Sequence, residues 1–182
     1  MDIQAKLCFL KMKCSRKIPK IMVILFFALD PVEGDYMRAL VQRVSEANVK
    51  VDGNIVGSIG HGLCVFVGVT HTDTQETVGK LANKLLTLRI FEDSSGKMNR
   101  STNDIQSEIL IVSQFTLYGD TNKGRRPSWI ASAPAEKAEP LINSLVESLR
   151  TQGIHVETGQ FREYMNVGLI NEGPTTLLIE VD

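Results

Sequence analysis

The sequence feature that most constrains the fold is a continuous apolar run in the second half of the chain. Residues Ile109–Val112 are all apolar and mostly β-branched, a pattern typical of a strand that is covered on both faces. Phe115 and Leu117 continue the apolar positions in alternation, and a Gly119–Asp120 turn follows. We therefore predict a core strand over 108–117 with other layers packed against both of its faces.

Two polar residues, Ser113 and Gln114, stand where this strand should remain apolar. Buried polar groups cost free energy unless they are hydrogen-bonded. Their position at the end of an apolar run therefore indicates either a functional site or a pair of side chains that fixes the adjacent loop. The residues of the run by themselves leave both interpretations open.

The remaining pattern predicts one α+β domain. A chain of 182 residues with 43% apolar content is long enough to bury one sizeable core. Two helices are predicted, over about 74–86 and over 134–151. Proline suits the first turn of a helix, so Pro140 indicates that the second helix could begin there. Mostly strands with two helices is the order expected of an α+β fold. The other strands are predicted near 39–44, 48–51, 55–57, 62–69, 88–91, 154–157, 165–170 and 175–181.

Residues 1–36 differ in composition from the rest of the chain. They hold six Lys or Arg against four acidic residues, a net charge of +2, so 37–182 carry −3. The nine-residue apolar run Ile21–Leu29 is too short to span a bilayer, and no small-x-small cleavage site follows it. We predict a poorly ordered extension over 1–36, a functional domain over 37–182 and a cytoplasmic location. The extension is either an upstream start or an organellar or secretory targeting segment.

Several classes of function are disfavoured by the sequence. A net charge of −1 gives no general attraction to nucleic acid, so any RNA contact must come from a local patch. The three histidines and three cysteines form no cluster at metal-ligand spacing, and no phosphate-binding loop, dinucleotide fingerprint or nucleophile elbow occurs. We therefore predict no metal, no cofactor and no membrane partner.

Two motifs taken together resemble a known family. Ser-Gln-Phe-Thr-Leu at 113–117 and Asn-x-Gly-Pro-x-Thr at 171–176 are similar to the two signature motifs of the D-aminoacyl-tRNA deacylases. The segments Met37–Val44 and Lys123–Pro127 look like the same family. Each motif alone is weak evidence, but the four occur in the family's order and cover about four-fifths of the chain.

The resemblance implies both a fold and a function. The fold would be a strand-rich, barrel-like core of mixed β-sheet with two main helices packed outside. The chain would assemble as a homodimer with active sites at the subunit interface. The function would be hydrolysis of the ester bond of D-aminoacyl-tRNA, and of mischarged glycyl-tRNA, with rejection of L-aminoacyl-tRNA. The alternatives are a small-molecule esterase on the same scaffold and an RNA-binding module without turnover.

The matching catalytic positions are Ser113, Gln114, Phe115, Thr116 and Thr176. The resemblance implies that the 2′-hydroxyl of the terminal adenosine and backbone groups matter more than side chains. The N–H groups around Gln114 to Thr116 are therefore the predicted donors to the oxyanion, and Thr116 and Thr176 are predicted to orient the substrate. Phe115 is predicted to stack on the terminal adenine, with an ordinary core phenylalanine as the alternative.

Gly173 and Pro174 are the predicted chiral filter. The resemblance implies that this dipeptide is cis and reaches into the partner subunit's active site, where its carbonyls leave no room for an L side chain. Thr175 departs from the family, which more often has Val there, but the two side chains are similar in size. Arg43 is predicted to support this loop, and a surface charge is the alternative interpretation.

The best local basic patch is the loop that contains Lys123, Arg125 and Arg126. These side chains are predicted to bind the phosphates of the tRNA acceptor stem. A charged, solvated turn is the alternative interpretation.

Overall fold

A computed structural model describes residues 36–122 and 124–182. The predicted extension therefore lies outside the described residues, except for Tyr36. The strands within the described part are β1 (Met37–Val51), β2 (Asn54–Ile59), β3 (Gly62–Gly68), β4 (Arg89–Glu92), β5 (Met98–Ser101), β6 (Glu108–Ser113), β7 (Val156–Thr158) and β8 (Asn166–Val181). The helices are α1 (Gln75–Thr87), α2 (Thr102–Ile105), α3 (Ala135–Thr151) and a 3₁₀ helix at Phe115–Tyr118.

The long strand β1 organises the main sheet. Along one edge it pairs antiparallel with β3 and then with β2, and along the other edge it pairs antiparallel with β8. The pairs β3–β6 and β6–β7 are parallel, so the sheet is mixed. Gly57 in β2 comes so close to Thr158 in β7 that a Cβ at residue 57 would overlap its backbone. The sheet thus nearly closes into a barrel, which confirms the predicted α+β, barrel-like fold.

The burial of β6 on both faces is confirmed as well. Ile109 and Ile111 join the cluster that α1 and α3 cover from outside, whereas Leu110 and Val112 join a second cluster inside the barrel. The two longer helices place buried apolar side chains along one face each, as amphipathic helices do. In the described part of the chain, no helix combines the length and the apolarity needed to cross a membrane.

The predicted strand over 108–117 was too long. It ends at Ser113, because its pairing partner β3 ends at Gly68 and the last bond of this pairing runs from the Gln114 N–H to the Val67 carbonyl at 2.8 Å. The chain then turns, and the Leu117 N–H donates to the Gln114 carbonyl at 3.2 Å. The alternation of Phe115 and Leu117 thus belongs to a 3₁₀ helix and not to a strand.

Two further boundaries differ from the prediction. Pro140 lies inside α3 and not in its first turn, because the helix already begins at Ala135. Pro140 is on the exposed face, where water can bond the carbonyl that loses its helical partner, so the proline is tolerated. The strands predicted near 165–170 and 175–181 form the single strand β8, whose pairing with β1 is irregular between Gln42 and Glu46.

Candidate active site

A cavity of about 580 Å³ lies beside the carboxyl ends of the parallel strands β3 and β6. We call it the Ser113 cavity. Its volume is in the range of small-molecule binding sites. Its wall includes Val67, Val112, Ser113, Gln114, Phe115, Trp129, Ala133, Ile142, Phe161, Arg162, Glu163, Tyr164 and Met165.

The 3₁₀ helix beside this cavity is fixed to the barrel by the buried side chain of Tyr118. Its hydroxyl donates to the Gly68 carbonyl at 3.2 Å, and the Arg38 guanidinium lies 5.0 Å from its ring centroid. Burial raises the pKa of Tyr118 well above its usual value, and the charge of Asp73 adds to this. The phenol therefore stays neutral and acts as a structural anchor, which holds the end of the Ser-Gln-Phe-Thr-Leu motif in place.

Backbone donors are available at the start of the 3₁₀ helix. The Gln114 N–H donates to the Val67 carbonyl, and the side-chain amide of Gln114 donates to the Thr116 hydroxyl. The N–H groups of Phe115 and Thr116 precede the first bond within the helix, so they have no intrahelical partner. Both belong to the N–H groups around Gln114 to Thr116 that the sequence predicts as donors.

Phe115 is not an ordinary core residue. It is 54% exposed, and its ring lies edge-on to that of Trp129, with centroids 5.5 Å apart and planes at 72°. The alternative of a core phenylalanine is therefore wrong. An exposed aromatic face at the wall of a cavity is suited to stacking on an unpaired base.

The described wall of the Ser113 cavity offers few ionisable side chains. Neither a histidine nor a cysteine belongs to its described wall, whose charged residues are Arg162 and Glu163. Cys64 is buried in the barrel, and burial raises the pKa of its thiol to about 12, so it does not form a thiolate at neutral pH. Residues 36–122 and 124–182 also contain no group of three His, Cys, Asp or Glu placed to hold a metal ion.

The second motif lies on β8. The Gly173–Pro174 peptide bond is cis, and both residues are exposed. The Asn171 side-chain amide donates to the carbonyls of Thr175 and Arg43, at 2.9 Å each. These two bonds tie the Gly-Pro turn to itself and to β1.

Arg43 is buried, with only 6% of its surface exposed, so the alternative of a surface charge is wrong. Its Nη1 donates to the Ile90 carbonyl at 2.6 Å. Its Nη2 lies 3.7 Å from a carboxylate oxygen of Glu92, and its Nε lies 3.6 Å from one of Glu172, the residue before Gly173. A pocket of about 500 Å³ surrounds this arrangement, and we call it the Arg43 pocket. It is lined by Arg43, His61, Phe91, Glu92, Arg100, Ile105 and Glu172.

The structure does not bring the two motifs together within one chain. Gly173, Pro174 and Thr176 are absent from the wall of the Ser113 cavity. Thr176 instead accepts a hydrogen bond from the Gln42 amide at 3.2 Å. Strands β1 and β3 stand between β8 and β6, a separation of roughly 14 Å across the sheet at ~4.8 Å per strand.

The basic loop begins and ends at a pair of backbone hydrogen bonds between Asp120 and Ser128, at 2.9 Å each. Gly124 has a φ of 78°, in the left-handed region that favours glycine. Arg125 and Arg126 are exposed, so both guanidinium groups are open to a partner. The predicted phosphate ligand Lys123 lies outside the described residues.

Two parts of the Ser113 cavity, Trp129 and the segment 161–165, were not predicted from the sequence. The available signal was the presence of large apolar side chains, Phe161, Tyr164 and Met165, in a polar connection between strands. The Arg43 pocket was not predicted either, because its charged residues come from four separate segments.

The fold and the cavity define a class of protein: a barrel-like α+β domain with a ligand-sized cavity and an exposed aromatic ring at its wall. Comparison with known proteins gives the family. The family model described as D-Tyr-tRNA(Tyr) deacylase matches residues 40–180. The chain belongs to this family.

Curated relatives agree with this assignment. The D-aminoacyl-tRNA deacylase of Geobacillus sp. (strain WCH70) is 55% identical over 144 residues, which are 79% of this chain and 95% of that protein. The D-aminoacyl-tRNA deacylase of Thermomicrobium roseum (strain ATCC 27502 / DSM 5159 / P-2) is 54% identical over 144 residues, 79% of this chain and 94% of that protein.

Solved structures share the fold. One described as "c-Myc DNA Unwinding Element Binding Protein" has a TM-score of 0.74 and 42% identity, and the match covers 79% of this chain and 98% of that one. Another, described as a "probable eukaryotic D-amino acid tRNA deacylase", has a TM-score of 0.71 at 18% identity and covers 80% and 99% of the two chains. The second likeness concerns the fold alone.

Proposed function

We propose that this chain is a D-aminoacyl-tRNA deacylase. It cleaves the ester bond between a D-amino acid and the terminal ribose of tRNA, releases both, and spares L-aminoacyl-tRNA. The observation that carries this proposal is the Ser113 cavity, where Phe115 has an exposed aromatic ring and the 3₁₀ helix begins with two N–H groups that have no partner within the helix. The sequence family supplies the identity of the substrate.

The chemistry requires little from ionisable side chains. An aminoacyl ester is already labile, and the neighbouring 2′-hydroxyl of the substrate can assist the attack of water and the departure of the 3′-oxygen. The N–H groups of Phe115 and Thr116 stabilise the oxyanion, a contribution of about 10²–10³ in rate for each donor. Phe115 stacks on the adenine, and Ser113, Gln114 and Thr116 orient the ester. The absence of an activated nucleophile from the described cavity wall is consistent with this division of roles.

We further propose that the site is completed by a second copy of the chain. Gly173, Pro174 and Thr176 are exposed and lie away from the Ser113 cavity of their own chain. The same strand exposes three large apolar side chains, at Ile170 (55%), Leu177 (37%) and Leu178 (58%). Exposed apolar residues on an edge strand are typical of a surface that another chain covers. A homodimer would cover them and bring the Gly-Pro turn into the partner's cavity.

In this arrangement Gly173 and Pro174 act as the chiral filter. Rigid backbone beside the α-carbon of the substrate leaves no room for an L side chain, whereas a D side chain points elsewhere. Glycine has no side chain to exclude, so glycyl-tRNA is also hydrolysed. Arg43 and Asn171 support the turn through the contacts described above.

Lys123, Arg125 and Arg126 bind phosphates of the acceptor stem. Replacing Arg125 and Arg126 together with alanine should weaken binding of every aminoacyl-tRNA alike and flatten its salt dependence, because phosphate contacts release counterions regardless of the amino acid. Binding titrations with D-Tyr-tRNA and Gly-tRNA over a range of salt concentrations measure this. A loss confined to one amino acid would contradict the role.

The function is tested by incubating the purified protein with D-Tyr-tRNA, L-Tyr-tRNA, Gly-tRNA and a simple D-tyrosine alkyl ester. We expect rapid release of D-tyrosine and glycine from tRNA, and none of L-tyrosine. Faster hydrolysis of the alkyl ester than of the tRNA ester would indicate a small-molecule esterase. Tight tRNA binding without release would indicate a binding module, and either result would refute the proposal.

The dimeric site is tested by mixing two variants with strongly reduced activity, Phe115→Ala and Gly173→Ala. A mixed dimer contains one site with an intact cavity from one chain and an intact Gly-Pro turn from the other. Activity should therefore return after the two variants are co-refolded or co-expressed. No recovery despite a demonstrated mixed dimer would show that each site is built from one chain.

A further inference from the structure

We propose that Trp129 forms a second stacking site, for the base of the nucleotide that precedes the terminal adenosine. This inference rests on the proposed function and extends the substrate contacts beyond the aminoacylated nucleotide. Trp129 lines the Ser113 cavity and is 39% exposed. Aromatic rings arranged in series are a common way for proteins to hold successive unpaired bases.

The position of the indole relative to Phe115 suits two bases in succession. The two ring centroids are 5.5 Å apart and the planes are nearly perpendicular. A base that stacks on the exposed part of Phe115 therefore lies next to Trp129. The indole is 39% exposed, and this open part of the ring can receive the adjoining base of the same RNA strand.

The backbone holds the indole in this place before any ligand binds. Gly119 packs beneath it so closely that a Cβ at that residue would lie 2.6 Å from an indole carbon. The paired hydrogen bonds between Asp120 and Ser128 precede it, and its own carbonyl accepts from the Ser132 N–H at 3.0 Å. A preorganised ring loses little conformational entropy on binding.

The basic loop indicates the path of the bound RNA strand out of the cavity. Arg125 and Arg126, both exposed, stand four and three residues before Trp129, on the loop that Asp120 and Ser128 close. An RNA strand that leaves the cavity toward these cations passes the indole. Basic side chains that follow the backbone and an aromatic ring that receives a base are the combination found in single-strand binding sites.

The test compares substrates that differ by one nucleotide: D-tyrosyl-adenosine, D-tyrosyl-cytidylyl-adenosine and D-Tyr-tRNA. Trp129→Ala should lower kcat/KM for the two longer substrates by roughly 5- to 100-fold more than for D-tyrosyl-adenosine, the range for loss of one base–aromatic stack. Trp129→Phe should retain most of the activity on all three. The matched control is Ile130→Ala, since Ile130 is 86% exposed, is the next residue and lies outside the described cavity wall.

Three outcomes would overturn the inference. Equal loss on all three substrates would mean that Trp129 acts only through Phe115. No loss on any substrate would mean that the ring binds nothing. A change in oligomeric state on Trp129→Ala would mean that a second copy covers it.

A binding measurement on the unmodified protein keeps the inference testable if Trp129→Ala does not fold. A tRNA with 2-aminopurine in place of the penultimate base should be quenched on binding, and less so with Trp129→Phe. Unchanged fluorescence on a saturated complex would overturn the inference. If the protein hydrolyses none of the substrates, the proposed function fails, and the quenching still decides whether Trp129 stacks on that base.

Discussion

The Ser113 cavity and the Arg43 pocket are similar in volume, about 580 and 500 Å³, but differ in chemistry. The first is lined mostly by apolar side chains and by the backbone of a 3₁₀ helix. The second is lined by two arginines, two glutamates and a histidine, and it lies against the Gly-Pro turn. We infer that the cavity performs the reaction through shape and backbone dipoles, whereas the charges of the pocket hold a turn in position. In this proposal the charged pocket supports the site without being the reaction centre.

The largest effect should come from Gly173→Ala. A Cβ at this residue would meet nothing closer than the Asn171 side-chain oxygen at 4.0 Å, so the single chain accommodates it. In the dimeric site it would intrude beside the substrate, and a displacement of about 1 Å can lower the rate by about 10²-fold. Deacylation of D-Tyr-tRNA should fall by that order while thermal unfolding stays unchanged.

The control for this variant is Gly79→Ala in α1. It also meets no atom within 4 Å, and it should raise helix stability by about 1 kcal/mol without any change in activity. Full activity of Gly173→Ala would show that no substrate approaches the Gly-Pro turn closely. The turn would then be an ordinary surface loop.

The next largest effect should come from Arg43→Met. The change removes the hydrogen-bond donor to the Ile90 carbonyl and breaks both ion pairs. Ile90 is only 5% exposed, so water cannot readily replace that donor. Leaving a buried carbonyl without its partner costs about 1–3 kcal/mol. Denaturant unfolding should show a loss of this size, together with weaker discrimination between D-Tyr-tRNA and L-Tyr-tRNA. Glu92→Gln is the control, since Glu92 is 58% exposed and should contribute little.

A smaller effect is expected for Ser113→Ala. Without a neighbouring base, the hydroxyl orients the ester and does not attack it. Loss of one hydrogen bond corresponds to about 0.5–1.5 kcal/mol, so kcat/KM should fall by less than about tenfold. Single-turnover assays measure the rate, and mass spectrometry of quenched wild-type reactions tests for an intermediate. An acyl group trapped on Ser113 would show that the Ser113 cavity uses covalent catalysis after all.

The parts of the molecule that local patterns determine were predictable from the sequence. The double-sided burial of Ile109–Val112 follows from composition, and the turn at Asp52–Gly53 follows from residues that tolerate a positive φ. The end of β6 was not predictable, because it depends on where β3 ends. Trp129 and Phe161 meet at the Ser113 cavity only through tertiary packing, which leaves no periodic signal in the sequence. The family resemblance, and not periodicity, indicated Gly173 and Pro174 as the predicted chiral filter.

The smallest effect is expected for Asp104→Asn. Asp104 lies beside Ile105, which lines the Arg43 pocket. Hydrogen bonds from the Ser101 N–H at 2.8 Å and hydroxyl at 2.7 Å, with the charges of Arg89 and Arg100, lower the pKa of Asp104 below its ordinary value of 3.8. A carboxylate whose pKa is lower in the folded state stabilises the fold above the ordinary pKa, and the stabilisation is lost as the pH falls through the lowered one. Asp104→Asn should therefore reduce Tm slightly at neutral pH.

The difference in Tm between Asp104→Asn and wild type should shrink in acid, well below pH 3.8. Deacylation at neutral pH should not change, because the Ser113 cavity contains neither Asp104 nor its partners. Thermal melts over a pH series, with deacylation assays in parallel, measure both quantities. An equal difference in Tm at acid and neutral pH would show that the cap acts through neutral hydrogen bonds alone. A loss of activity would show that the Arg43 pocket contributes to the reaction beyond holding the Gly-Pro turn in position.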